Sequence, residues 1–142
     1  MADILFKDFS DEVNAKIRQL GVEWLEEASG EIEAQTKRNT RVDTGKTKGS
    51  WEHIVDEKKL EAQVGSRYKN AVWEEFGTGV YALNGNGRKD VPWFYKDEQG
   101  KWHRTSGKKP SRAFHNAYSS LKNSVIRSAQ QKFRSIKKWL KF

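Results

Sequence analysis

The sequence predicts an α+β domain in which two long helices flank a small antiparallel sheet, with an aromatic hairpin inserted before the last helix. Apolar residues recur every three or four positions towards both ends of the chain. Between those stripes they alternate with polar residues in short runs, and clusters of turn-forming residues separate the runs. The 142 residues suit one domain, read as spanning 1–142.

From Ser10 to about Arg38 the residues Val13, Ile17, Leu20, Trp24, Ala28 and Ile32 draw one stripe on a helix. Ser10 is its expected N-cap, Asp11 and Glu12 suit the positive end of the dipole, and Lys37 and Arg38 the negative end. At about 1.5 Å per residue the helix is on the order of 40 Å long, more than one small domain usually covers. Gly21 marks a bend or a close approach, or is simply an exposed glycine. Asn39 to Gly49 is polar and without period, which predicts a loop.

Trp51–Val55 and Leu60–Val64 read as strands joined by Asp56–Lys59. Tyr68, Val72 and Phe76, four apart, predict a short helix stopped by Gly77. Asn84-Gly85-Asn86-Gly87 reads as a tight turn or a flexible tip. Val91–Tyr95 and Lys101–Arg104 then flank Asp97–Gly100 as a second hairpin, with Pro92 favouring an edge position. Phe114, Tyr118, Leu121, Val125, Ala129, Ile136 and Leu140, with Phe133 beside them, give a basic C-terminal helix at about 111–140.

Composition removes several classes of function. Six Trp, seven Phe and four Tyr supply the large side chains that disordered chains lack. The absence of cysteine excludes disulfides, thiolate metal sites and cysteine nucleophiles. No apolar run approaches the ~20 residues that span a bilayer, and the N-terminus lacks the features of a signal peptide, so the expectation is a cytosolic product without membrane partners. Net charge is +8, but unevenly placed: Gln99 to Phe142 holds twelve Lys/Arg and no acid, whereas residues 1–98 hold fifteen Lys/Arg against all nineteen Asp/Glu. Such polarity serves either a nucleic-acid surface or the meeting of acidic and basic faces on neighbouring copies.

Gly77-Thr78-Gly79-Val80-Tyr81-Ala82 matches a dinucleotide fingerprint in form, but it follows a helix and runs into a turn, the reverse of the required context. His53, His103 and His115 lie on separate elements without ligand-like spacing, so no metal or other cofactor is expected. Glu74 and Glu75 point about 100° apart on a helix and cannot face each other as acid and base; they read as surface charges or as one capping or interface carboxylate. No catalytic constellation emerges, and the expectation is a protein that is not an enzyme.

Three stretches together resemble the head-tail joining, or neck and tail-completion, family of long-tailed bacteriophages and prophages. They are Val42-Asp43-Thr44-Gly45-Lys46-Thr47-Lys48-Gly49-Ser50; Tyr68-Lys69-Asn70-Ala71-Val72-Trp73-Glu74-Glu75-Phe76-Gly77-Thr78-Gly79; and the aromatic hairpin from Asn84 to His103, with Trp93 and Trp102. The likeness covers about residues 10–130 in order and spacing. The chain departs from the family pattern at Arg41, where Pro is common, and at Arg112-Ala113-Phe114, where the family has Pro-Phe-Leu.

The resemblance implies a non-enzymatic virion protein, made in the bacterial cytoplasm and built into the neck as a ring of identical copies. Its partners would be those copies, adjoining head-completion and tail proteins, and DNA in the channel. It further implies that Asp43, Thr44, Gly45, Ser50, Tyr68, Ala71, Glu75, Phe76, Gly77, Thr78, Trp93 and Trp102 serve fold and interface. Lys132, Arg134, Lys137, Lys138 and Lys141 are the candidate DNA-facing cations. The alternative function is a basic nucleic-acid-binding regulator.

Overall fold

The computed structural model describes residues 8–42 and 45–140. In chain order they form α1 (Ser10–Asn39), α2 (Lys46–Gly49), β1 (Trp51–Asp56), β2 (Glu61–Ser66), α3 (Lys69–Phe76), a 3-10 turn (Gly79–Tyr81), β3 (Trp93–Lys96), β4 (Trp102–Thr105), α4 (Ala113–Arg134) and α5 (Ile136–Trp139). The architecture is α+β, as the sequence predicts. Helices α1 and α4 pack along each other, β1 and β2 form an antiparallel pair lying on α1, and β3 and β4 form a separate antiparallel hairpin.

Helix α1 has 30 residues, about 45 Å at ~1.5 Å rise per residue. Its N-cap is Phe9 rather than Ser10: the Asp8 carboxylate accepts the Ser10 N–H at 2.8 Å, which carries Ser10 into the first turn. The helix runs unbroken through Gly21, where a β-carbon would stand 3.6 Å from the Leu60 side chain. That is ordinary van der Waals contact, so the position is neither a bend nor a close approach that demands glycine. At the other end, Thr40 turns extended and its hydroxyl donates to the Thr36 carbonyl at 2.7 Å.

The two helices are joined by a mixed seam. Leu20, Ala28, Ala117 and Val125 are buried. The Trp24 indole N–H reaches across to the Val125 carbonyl at 2.8 Å, with the Ser128 hydroxyl at 3.1 Å. Lys132 lies between Glu27, at 2.9 Å, and Glu23, at 3.4 Å. The hydrogen bond to Glu27, with Glu23 behind it, holds the Lys132 ammonium above its ordinary pKa.

Strand register runs from Trp51 opposite Ser66 to Asp56 opposite Glu61. Alternation then turns Trp51, His53 and Val55 towards the helices together with Ala62, Val64 and Ser66. Leu60 has φ +53° and belongs to the turn, so β2 starts one residue later than its hydrophobic alternation suggests. The His53 ring sits between two carboxylates of α1, with Nε2 3.0 Å from Glu26 and Nδ1 3.3 Å from Glu33. The Glu26 hydrogen bond, opposed by partial burial and helped by Glu33, raises the imidazole pKa above 6.5.

Several sequence expectations need correction. The segment after α1 contains the short helix α2. The second hairpin is shifted to Trp93–Lys96 and Trp102–Thr105. The last helix begins at Ala113, because Arg112 has φ +56°, and it breaks at Ser135, whose N–H donates to the Lys132 carbonyl at 3.2 Å in a three-residue closure. In α3 the apolar spacing marks the wrong face: Val72 and Phe76 are exposed, whereas Ala71, Glu74 and Glu75 are buried.

Two measurements check this account. Trp24→Phe keeps an aromatic side chain but removes the indole N–H and part of its packing, leaves the Val125 carbonyl without its cross-helix donor, and is expected to lower unfolding free energy by at least about 1 kcal/mol in urea. Because the folded pKa of His53 is raised, its contribution is complete below the unfolded value and is lost as pH rises through the folded one. The urea midpoint of the wild type should therefore fall between about pH 6 and pH 9 by more than that of His53→Gln.

Candidate functional site

The residues of the second motif meet the start of α4 in one junction, and the first motif joins it from below. Its centre is Glu75, on the buried face of α3. Its two carboxylate oxygens accept the backbone N–H groups of Phe114 and His115, each at 2.9 Å. These are unsatisfied donors in the first turn of α4, at the positive end of its dipole, so a side chain from α3 does the work of an N-cap. The Arg112 guanidinium lies 3.9 Å from Glu75 and sits over the Phe76 ring at 5.5 Å.

Glu74, its neighbour, points elsewhere and is also buried. Lys108 is hydrogen-bonded to one of its oxygens. The other has no hydrogen-bond partner among the described residues and faces the Arg41 guanidinium at 3.6 Å. A carboxylate this enclosed requires both cations, because burial of an unpaired charge costs several kcal/mol. Arg41 also donates to the Lys109 carbonyl at 3.1 Å. The residue standing where the resembled family often has Pro thus ties the end of α1 to the loop before α4.

Beyond α3 the backbone of Gly77-Thr78-Gly79 crosses that of Ser106-Gly107-Lys108 at minimal separation. Thr78 N–H donates to the Lys108 carbonyl at 2.9 Å and Val80 N–H to that of Ser106 at 3.1 Å, while the Thr78 hydroxyl accepts the Lys108 N–H at 2.9 Å. Gly79 has φ +60°, and a β-carbon there would fall 2.1 Å from the Ser106 carbonyl oxygen. One on Gly107 would fall equally close to that of Thr78. The Gly-Thr-Gly run is therefore a backbone crossing, not a phosphate cradle.

The first motif enters through α2, which Gly45 precedes with φ +83°. Ser50 donates to the Thr47 carbonyl at 2.7 Å and shares a 2.6 Å hydrogen bond with Ser66, whose oxygen also accepts the Tyr68 N–H. Asn70 of α3 donates to the Thr47 hydroxyl at 2.9 Å. Trp51 is buried, donates to Thr40 at 3.0 Å and stacks on Phe114 at a centroid distance of 5.9 Å. The junction thereby joins the end of α1, both strands of the first sheet, α3 and the start of α4.

Gly45, Ser50, Tyr68, Ala71, Glu75, Phe76, Gly77 and Thr78 all lie in or beside it. Asp43 and Thr44 fall outside the described residues. Trp93 and Trp102 do not join the junction: Trp93 is half-buried beneath Arg88, at 5.1 Å, and Trp102 is exposed on the hairpin. Of the basic residues, Lys132 is directed at α1, Arg134, Lys137 and Lys138 are exposed, and Lys141 is outside the described residues. Motif reading missed Thr40, Trp51 and Lys108 and gave no role to Asn70, inside the second motif, or to Arg41, noted only as a departure; Glu74 it read as a surface charge or an interface carboxylate. The positions of Asn70 within the second motif and of Trp51 directly after the first are the signals that could have found them.

Compared with known protein families, characterised proteins and solved structures, the chain matches none. Among the described residues no group of three or more His, Asp or Glu is placed to hold a metal, and no helix is long and apolar enough to cross a membrane.

Two substitutions test the junction. Glu75→Ala removes two charge-assisted hydrogen bonds and should cost about 2–3 kcal/mol in unfolding free energy, with a smaller loss for Glu75→Gln. Gly79→Ala should abolish soluble folded protein, whereas Gly85→Ala, also at positive φ but in open space, should cost only about 1–2 kcal/mol. Circular dichroism and denaturant titration read both.

Proposed function

We propose that this chain is a non-enzymatic structural protein of a long-tailed bacteriophage or prophage, joining head to tail as one of several identical copies in a neck or tail-completion ring. The observation that carries the reading is the use made of the motif residues: Glu75, Thr78 and Ser50 bind protein backbone and hydroxyls within the chain. Their chemistry holds elements together. A second support is the apolar surface left open beside Glu75, where Val72, Phe76 and Tyr118 are exposed, with Phe94 and Trp102 exposed separately on the hairpin. Large uncovered aromatic and aliphatic groups characterise surfaces that meet other proteins.

In this reading the ring is built from heterologous contacts, each copy offering one face to the next, and closure about an axis leaves a lumen. The exposed Arg134, Lys137 and Lys138 then supply phosphate contacts that position DNA without reading its sequence. Gly45 sets the turn into α2, and Glu75 and Thr78 set the end of α3.

Deletion of the coding sequence from the phage or prophage genome that carries it is the test. DNA-filled heads and unattached tails should accumulate in electron micrographs, with infectious titre restored by wild-type protein and reduced with Glu75→Ala. Normally tailed, fully infectious particles from the deletion would overturn the reading.

A further inference from the structure

The hairpin β3–β4 has two unlike faces. Its inner face carries Trp93, Tyr95, His103 and Thr105; Tyr95 and His103 stack at 5.1 Å, and His103 is held by Asp97 at 2.7 Å. Its outer face carries Phe94 opposite Arg104 and Lys96 opposite Trp102. Phe94 and Trp102 are each 64% exposed, and the face has two cations and no acid. An isolated two-stranded hairpin is marginal in water, and this one keeps Trp93 inside but turns Phe94 and Trp102 outward.

The outer face of β1–β2 is its complement. Because Trp51 and His53 point to the helices, alternation turns Glu52, Ile54 and Asp56 outward, opposite Gly65, Gln63 and Glu61. Ile54, half exposed, thus shares its face with three carboxylates. Arg67, just past the end of β2, reaches the same side, 3.4 Å from Glu52 and bordering the space beside Ile54, so the face keeps a net negative charge. At Gly65 an added β-carbon would meet nothing within 4 Å, and a hollow of about 210 Å3 opens there beside Ile54.

We propose that copies of this chain associate head to tail by stacking the outer face of β3–β4 of one copy on the outer face of β1–β2 of the next. The proposal rests on the reading of the chain as a repeated subunit and names the surfaces that repeat. Both faces are two strands wide, about 10 Å, and stacked sheets approach to about 10 Å, so one covers the other. Phe94 and Trp102 close over Ile54, and one ring fills the hollow left by Gly65. Lys96 and Arg104 meet the acidic rim. Among the described residues the two sheets of one chain make no extensive contact with each other, and the complementary charge of the two faces makes a second copy the occupant. The contact is heterologous and repeats, as a ring requires.

The cysteine-free chain allows a direct test. With Ile54→Cys and Trp102→Cys together, mild oxidation of the concentrated full-length protein should yield a ladder of dimers, trimers and higher species on non-reducing gels; either substitution alone should stop at dimers. In sedimentation velocity, Lys96→Glu with Arg104→Glu should weaken self-association at least about tenfold, and so should Asp56→Lys with Glu61→Lys. Mixing the two doubly reversed proteins should restore it, because each then offers the other a complementary face. All four positions are exposed, and circular dichroism verifies that the variants fold.

Wild-type association that neither reversal weakens and no ladder accompanies would place the contact elsewhere and overturn the proposal, leaving the neck reading intact. A protein that stays monomeric and gives no ladder at any concentration would also overturn it, and the deletion phenotype would then judge the neck reading separately. If Lys96→Glu with Arg104→Glu abolished retention of single-stranded DNA but left association unchanged, the hairpin would be a nucleic-acid face, and the proposal would again fail.

Discussion

The carboxylate of Glu75 on the second and third N–H groups of α4 is the contact on which the rest of the junction depends. A helix normally obtains its cap from a residue directly before it, but here that place is held by Arg112 in the left-handed region, which makes no side-chain cap. The cap comes instead from 39 residues upstream. That exchange fixes the distance between α3 and α4, and it obliges the intervening chain to return to its starting point. The Gly79 and Gly107 crossing is where the return is made, with backbone against backbone and no side chain between.

Part of the charge in this protein is paired within the chain. On α1, Glu23 and Glu27 meet Lys132, Glu26 and Glu33 meet His53, and Glu33 also meets Lys37, while the buried acids of α3 meet Arg41, Lys108 and Arg112. Such pairing removes one charge of each sign and leaves the formal excess of +8 unchanged. That excess is carried by residues 99–142, which hold twelve Lys/Arg and no acid.

The order and type of the major elements are legible in the residues because their periodicities are strong: the stripe from Val13 to Ile32 and the alternation at Leu60, Ala62 and Val64 both correspond to real elements. The failures have local causes. Tyr68, Val72 and Phe76 have helical spacing, yet burial follows Ala71, Glu74 and Glu75, since long-range hydrogen bonds and ion pairs outweighed hydrophobicity on a helix of only eight residues. Ser135 breaks the last helix through a hydroxyl and an amide that compete for one carbonyl, which apolar spacing does not register. At the site, the motif residues converge as a group, but Arg41, Asn70 and Lys108 join them through contacts between distant positions, and no pattern along the chain announces such contacts.

The seam between α1 and α4 has a consequence for the way the molecule is made. Trp24 finds its hydrogen-bond acceptor 101 positions later, at Val125. As the chain leaves the ribosome, β1 and β2 can cover part of the first helix early, but the side meant for α4 must wait until about a hundred further residues have been made. That part of the interior closes late, and until then the nascent polypeptide is open to chaperones and to clumping with its siblings.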